Sequence, residues 1–160
     1  MIAPGWKARA NIRGAGEDSV QPAGVDLSVC ELSTLEAEGV LGASARELPR
    51  TSPLEPVSGW WHLKPGAYKV RYCEIVEVPL NYVALCFPRS SILRMGAEVK
   101  CTVWDPGYTG RGEGLLVVYN PNGIKLEKRA RIVQLVFAKL EDMPGKPYSG
   151  IYMNEGLEEQ

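Results

Sequence analysis

A chain of 160 residues, 45% of them hydrophobic, is long enough to bury one core without help from disulfides or metals, so a single domain is expected. Its 18 basic and 19 acidic residues nearly cancel, which excludes a bulk field suited to long nucleic acid or an anionic membrane surface and requires any anion site to be local. The opening MIAPGWKARANIRGAG lacks an unbroken apolar signal core, and no stretch approaches the roughly 18 apolar residues of a membrane span, so a soluble, cytoplasmic protein is expected.

The dominant period along the chain is two rather than 3.6. PAGVDLSV, residues 22–29, reads as a turn feeding a strand. A weak helical stretch follows from Thr34 to Leu41, and residues 42–59, with three prolines and no apolar period, read as a long surface excursion. From Tyr68 to Val78 apolar and polar residues alternate and then change phase at Cys73-Glu74, as a bulged strand does, and Pro79 ends the run. Tyr82 to Phe87, Val99 to Trp104, Gly114 to Tyr119 and Ile132 to Leu140 are further β-branched and aromatic runs bounded by Pro, Gly or Asn. Between them, Ser90-Ser91 begins a single helical turn, and DPGYTGRGEG, residues 105–114, makes a glycine-rich hairpin. Short strands joined by Gly and Pro turns predict an all-β fold, a barrel or jelly roll with very little helix. Cys30, Cys73, Cys86 and Cys101 have no CxxC spacing and read as reduced core residues. Residues 1–144 are expected to form the single β domain, and the tail of residues 145–160, rich in Tyr, Gly and Glu, either is disordered or docks onto something.

Four short constellations carry chemistry. Asp26, between Val25 and Leu27, is either a solvent-facing strand position or a buried carboxylate that needs hydrogen-bond partners. In PRSSILRMG, residues 88–96, Ser90 or Ser91 can cap the following turn, whose amides, with Arg89 and Arg94, match a polyphosphate; the plainer reading is a capped turn with two solvated arginines. In the hairpin, Asp105 stands at a strand end where its carboxylate can face a cleft, and Tyr108 can lay its ring against a sugar or base. Gly110, Gly112 and Gly114 let the backbone approach a ligand, although many β proteins carry such a turn without one. In RARIVQLVF, residues 129–137, Gln134 is either a satisfied core amide or a group reaching a ligand or a metal-bound water.

Together and in this order, PAGVDL, PRSS, DPGYTG and RIVQLV resemble the first four motifs of the trimeric dUTPase and dCTP deaminase superfamily, over roughly residues 21–140. LKPGAYKVRYCEIVEVP, residues 63–79, and the doubled serine look more like the deaminase side. The resemblance implies a distorted jelly-roll subunit, dUTP as substrate, and a homotrimer whose sites are shared between subunits, with no long nucleic acid and no membrane as partner. It implies that Asp105 orients the attacking water and takes its proton, that Tyr108 packs on the deoxyribose, and that Gly110 belongs to the hairpin that reads the uracil. Arg89, Ser90 and Ser91 match the phosphate-binding motif, with Arg94 in support, and Gln134 matches a glutamine near the phosphates. Asp26 resembles the acid that supports the metal and arginine network. Mg2+, held mainly through substrate phosphates rather than by the protein directly, is the implied cofactor.

Deaminases of this superfamily use a glutamate in the strand after the hairpin, three residues before its closing Asn. Counting back from Asn120 that position is Val117, counting forward from Asp105 it is Leu115, and Glu113 is read as lying in the turn. Neither aliphatic residue can shuttle a proton. The pattern is therefore most similar to dUTPases of archaeal type, deaminase-like in sequence but hydrolytic, with dUMP and pyrophosphate as products. The alternatives are a dCTP deaminase or bifunctional deaminase/dUTPase and, from another class, a nucleotide-binding regulatory module without turnover. The tail GKPYSGIYMNEG, residues 145–156, departs from the glycine-rich last motif of dUTPases. If it forms a lid, Tyr148 or Tyr152 with Lys146 is the candidate.

Overall fold

The computed structural model describes residues 1–157. Its main sheet is built from β1 (Gly24–Leu35), β2 (Gly66–Tyr72), β3 (Tyr82–Pro88), β4 (Ala97–Lys100), β5 (Glu113–Val118) and β6 (Arg131–Lys139), in the spatial order β3-β6-β1-β2-β5-β4 with every neighbour antiparallel. The two ends of that order meet. Ala84 in β3 and Trp104, just beyond β4, exchange both backbone hydrogen bonds at 3.0 Å, so the sheet nearly closes on itself. This is the all-β, distorted jelly roll expected from the strand-and-turn pattern. Among the described residues α-helix is confined to Gly5–Ala8 and Ser90–Arg94, and no helix is long and apolar enough to cross a membrane.

Inward positions fill the sheet's interior. Val25, Leu27, Val29 and Leu32 of β1 are fully buried against Leu116, Val133, Leu135 and Phe137, each such side chain contributing about 1.5–3 kcal/mol of burial. The first half of β1 is buried on both faces, because the Gly5–Ala8 helix packs on its other side. That helix went unread in the sequence, and its entry needs glycine: a Cβ at Gly5 would lie 1.9 Å from the carbonyl oxygen of Gln21.

The phase change at Cys73-Glu74 is real and has a cause. Glu74 turns inward, almost fully buried, and accepts hydrogen bonds from the Ser28 amide at 2.9 Å and the Ser28 hydroxyl at 2.6 Å. The chain resumes at Ile75–Glu77, which pairs with Ile12–Arg13 on one side and with Thr109–Gly110 of the hairpin on the other. The glycine hairpin is thus tied to the body at its middle.

Several expectations need correction. Thr34 to Leu41 is not helical: Thr34 and Leu35 finish β1, paired with Ser52 and Thr51, and Val40–Leu41 pairs with Arg46–Glu47. Strand pairing satisfies those backbone groups, whereas a helix of that length is marginal. The run from Val99 to Trp104 is broken after Lys100, since Trp104 must cross to pair with Ala84. The excursion of residues 42–59 is exposed for most of its length, and it is anchored where the Leu54 amide bonds the Leu32 carbonyl and the Trp61 indole bonds the Leu54 carbonyl.

Candidate functional site

Sheet pairing brings three of the four constellations together. Strand β6 lies between β1 and β3, so Gln134 stands opposite Asp26 on one side and opposite Phe87, two residues before Arg89, on the other. The Asp26 carboxylate is 1% exposed and accepts from Arg89 Nε at 3.1 Å and from Gln21 Nε2 at 3.1 Å. Of its two sequence readings, the buried carboxylate holds. Burial pushes its carboxyl above the ordinary range, against the opposite pull of Arg89 and Arg131. Arg89 is also fixed through its own amide, which donates to the Ile132 carbonyl at 2.9 Å, and through Nη1, which donates to the Arg131 carbonyl at 3.3 Å.

The short helix after Arg89 differs from the capped turn expected. Arg89 itself occupies the N-cap position and no side chain caps the helix; Ser90 and Ser91 are its first residues, and both are exposed, as is Arg94. Their hydroxyls therefore face solvent beside the Arg89 guanidinium instead of serving the backbone.

The fourth constellation lies elsewhere on the chain. The Asp105 to Tyr108 turn opens an aromatic-walled pocket of about 410 Å3, lined by Trp104, Asp105, Tyr108, Glu113, Tyr148 and Glu155 among others. Tyr108 is buried, edge-on to Trp104 at 5.3 Å and to Tyr148 at 5.8 Å. Its hydroxyl donates to the Glu155 carboxylate at 2.7 Å, and burial pushes that hydroxyl well above its ordinary pKa. Glu155 is itself pushed up by burial, with the Tyr108 hydrogen bond opposing the shift. The tail reaches this pocket through backbone bonds from Tyr148 to Pro106, from Asn154 to Thr109, and from Arg111 to Glu155. It is bonded to the body as far as Glu155; residues 158–160 lie outside the described residues. Tyr148 and Tyr152 both line the pocket, and Lys146 is exposed.

The hairpin glycines make room for the protein's own rings. A Cβ at Gly112 would meet Trp104 at 2.2 Å, at Gly114 the Tyr72 hydroxyl at 2.6 Å, and at Gly110 the Tyr108 hydroxyl at 2.7 Å. Glu113 is not in the turn. It opens β5 opposite Arg71, and its Oε1 accepts from Lys69 Nζ at 3.1 Å and from Arg71 Nη2 at 2.9 Å. An acid so engaged is poorly suited to shuttle protons, and the next positions along the strand that the deaminase count reaches are Leu115 and Val117.

None of Asp26, Arg89, Ser90, Ser91 or Gln134 lines the hairpin pocket. Within one chain the basic turn and the aromatic pocket are separate surfaces. Among the described residues no three His, Cys, Asp or Glu side chains converge as a metal cage. Asp105 is the one exposed carboxylate of the pocket lining, a donor set suited to a hydrated cation carried on a ligand's own oxygens rather than to a protein cage.

Sequence reasoning missed Gln21, one residue before the first quoted motif, and Arg131, inside the last, both of which act on Asp26, and it missed Glu155. The first two were within reach, as polar residues at the edge of a motif with a buried acid. Glu155 meets Tyr108 from 47 positions away, a contact that no local pattern announces.

A family model described as dCTP deaminase-like matches residues 5–140. The Aeropyrum pernix protein named "Probable deoxyuridine 5'-triphosphate nucleotidohydrolase" is 47% identical over 146 residues, covering 91% of this chain and 92% of its own. The deoxyuridine 5'-triphosphate nucleotidohydrolase of Methanocaldococcus jannaschii is 40% identical over 140 residues, covering 85% of this chain and 88% of its own. Two solved structures share the fold: the 2'-deoxycytidine 5'-triphosphate deaminase of Agrobacterium tumefaciens, with a TM-score of 0.66 at 21% identity over 85% of this chain and 48% of that one, and the native EIAV dUTPase, with a TM-score of 0.52 at 18% identity over 93% and 97%. With its buried acid and its basic turn on the two strands that flank β6, and with the family model matching most of its length, the chain belongs to the dCTP deaminase-like family.

Proposed function

We propose that this protein hydrolyses dUTP to dUMP and pyrophosphate. The observation that carries the reading is the pocket at Asp105: an exposed carboxylate on an aromatic-walled cavity, with aliphatic residues where a deaminase needs a proton-shuttling acid. The names of the archaeal relatives support it. In this reading the nucleoside enters the hairpin pocket, where the Tyr108 ring forms a wall against the deoxyribose and backbone groups of the glycine hairpin, other than the Thr109 and Gly112 carbonyls and the Arg111 amide already bonded within the chain, offer the uracil fixed donors and acceptors. Cytosine, with its amino group in place of a carbonyl, mismatches that pattern and leaves polar groups unpaired. Asp105 holds a water and takes its proton as the oxygen attacks the α-phosphorus in line. Arg89, held in place by Asp26, offers its guanidinium to the phosphates with the Ser90 and Ser91 hydroxyls beside it, and Gln134 lies next to this surface. Mg2+ accompanying the triphosphate would supply charge neutralisation to the leaving pyrophosphate, beside the Arg89 guanidinium.

The separation of basic turn and pocket within one chain supports a homotrimer, in which the turn of one subunit faces the pocket of the next and closed symmetry limits the count. The tail, through Tyr148 and Tyr152, acts as the lid of this reading. Incubation with dUTP, dCTP and dTTP, with and without Mg2+, and chromatography of the products tests it. Release of dUMP and pyrophosphate from dUTP alone is expected. Deamination of dCTP would overturn the assignment, and tight binding of dUTP without any product would leave a regulatory module instead.

A further inference from the structure

The cysteines were expected to be reduced core residues; all four are free thiols, and two of those packed against the core, Cys86 and Cys101, meet each other. Cys86 lies in β3 and Cys101 just after β4, and their sulfurs are 2.7 Å apart, against about 2.0 Å for a disulfide bond. Backbone geometry fixes the approach: Ala84 and Trp104 exchange both hydrogen bonds at the closure of the sheet, and Cys86, two residues along β3 from Ala84, projects to the same inner face. The Tyr72 hydroxyl sits 2.9 Å from Cys101 Sγ and 3.8 Å from Cys86 Sγ, walled on its other side by Gly114. Cys101 also lines an open pocket of about 540 Å3 with Thr102, Leu115 and Tyr152, so it is reachable from solvent.

We infer that Cys86 and Cys101 form a disulfide site, oxidised by hydrogen peroxide, that covalently joins the two strands where the sheet closes. The thiols divide the work. Cys101 lines the open pocket where a peroxide can reach it and Cys86, which does not line that pocket, lies behind Cys101 in sulfur contact, so Cys101 attacks and Cys86 resolves. Cys101 sulfur attacks one peroxide oxygen, the O–O bond breaks, and the leaving hydroxide takes up the thiol proton as water, leaving Cys101 as a sulfenic acid. Cys86 sulfur then attacks Cys101 sulfur, the S–O bond breaks, and the departing hydroxide leaves as water with the Cys86 proton. Two thiols and one peroxide become one disulfide and two waters. The bond links the strand that runs into Arg89 with the segment that runs into Asp105.

The test is peptide mapping under non-reducing conditions after treatment of the full chain with hydrogen peroxide. A Cys86–Cys101 crosslink that dithiothreitol reverses is expected, together with loss of about two free thiols per chain. In the Cys86→Ser variant, Cys101 should be trapped as a sulfenic acid adduct by dimedone; in Cys101→Ser, Cys86 should stay unmodified. Peroxide-treated wild type in which Cys86 and Cys101 remain free thiols, or a crosslink found only between Cys30 and Cys73, overturns the inference without recourse to any variant. Dimedone capture at Cys86 rather than Cys101 would equally refute the assigned order.

Discussion

Two acids define two differently built regions of this molecule. Asp26 is buried within β1, its carboxylate bonded to Arg89 and Gln21 inside the protein. Asp105 is exposed on the lip of an open pocket, its backbone fixed by a turn to Tyr108. Under the proposed function, the first acid would position and the second would do chemistry, and their surroundings suit those tasks. A carboxylate with all its partners inside the protein cannot take up a proton from a ligand without breaking them, whereas an exposed one can act at little cost to stability.

Removing the two acids in turn should give opposite signatures. Asp105→Asn should lower dUTP turnover by about 10²–10⁴-fold while leaving the melting temperature unchanged and binding of a non-hydrolysable analogue within about tenfold. Turnover within a few-fold of wild type would remove Asp105 from the chemistry. Next in size is complementation. Asp105→Asn chains mixed with Arg89→Ala chains, each inactive alone, should regain roughly a tenth or more of wild-type activity after subunit exchange, because some mixed trimers hold an intact shared site. No rescue after confirmed exchange argues that one chain carries a whole site.

Arg89→Ala has a double signature. Triphosphate binding should weaken at least about tenfold more than deoxyuridine binding, since the lost contact is to phosphate. Stability should drop by about 1–3 kcal/mol because Asp26 is left buried with only the Gln21 hydrogen bond and the field of Arg131, a smaller loss than for a fully enclosed pair since the arginine is partly exposed. Adding Asp26→Asn should restore part of that stability in thermal melts; a further loss instead would contradict the uncompensated buried charge as its cause.

The smallest effect is in the pH dependence. Asp26 titrates higher in the folded chain than its ordinary value of 3.8, so the native state holds the extra proton in that window. Its contribution to stability is therefore fully present below 3.8 and is lost as pH rises through the folded value. Wild type should lose more melting temperature than Asp26→Asn on going from about pH 4 to 6, and parallel curves for the two proteins would contradict the assignment. Glu155, raised by burial, has the same sign for tail docking: exchange protection of the Asn154 and Arg111 amides should weaken with rising pH, and less so in Glu155→Gln.

The strands were legible because their alternation is written in adjacent residues. So were the constellations, since PAGVDL, PRSS, DPGYTG and RIVQLV each carry their turn residues and polar group within a few positions. The segment from Thr34 to Leu41 misled because its local helical propensity is weaker than the pairing offered by Ser52 and Thr51, residues whose position depends on the path of a long excursion. Glu113 misled for a similar reason: its place at the head of β5 is set by Arg71 and Lys69 on the neighbouring strand, not by the glycines beside it.

By itself the sequence determined that this is an all-β chain with little helix, carrying a basic serine turn and an acid-led glycine hairpin, because these properties rest on periodicity and on the backbone demands of Gly and Pro. Only the tertiary structure decided that Asp26 is buried and Asp105 exposed, that Glu155 returns to Tyr108, and that Cys86 meets Cys101 where the sheet closes. Each of those facts depends on which strands become neighbours, and a strand's neighbour is chosen by the burial of the whole sheet rather than by the residues on either side of it in the chain.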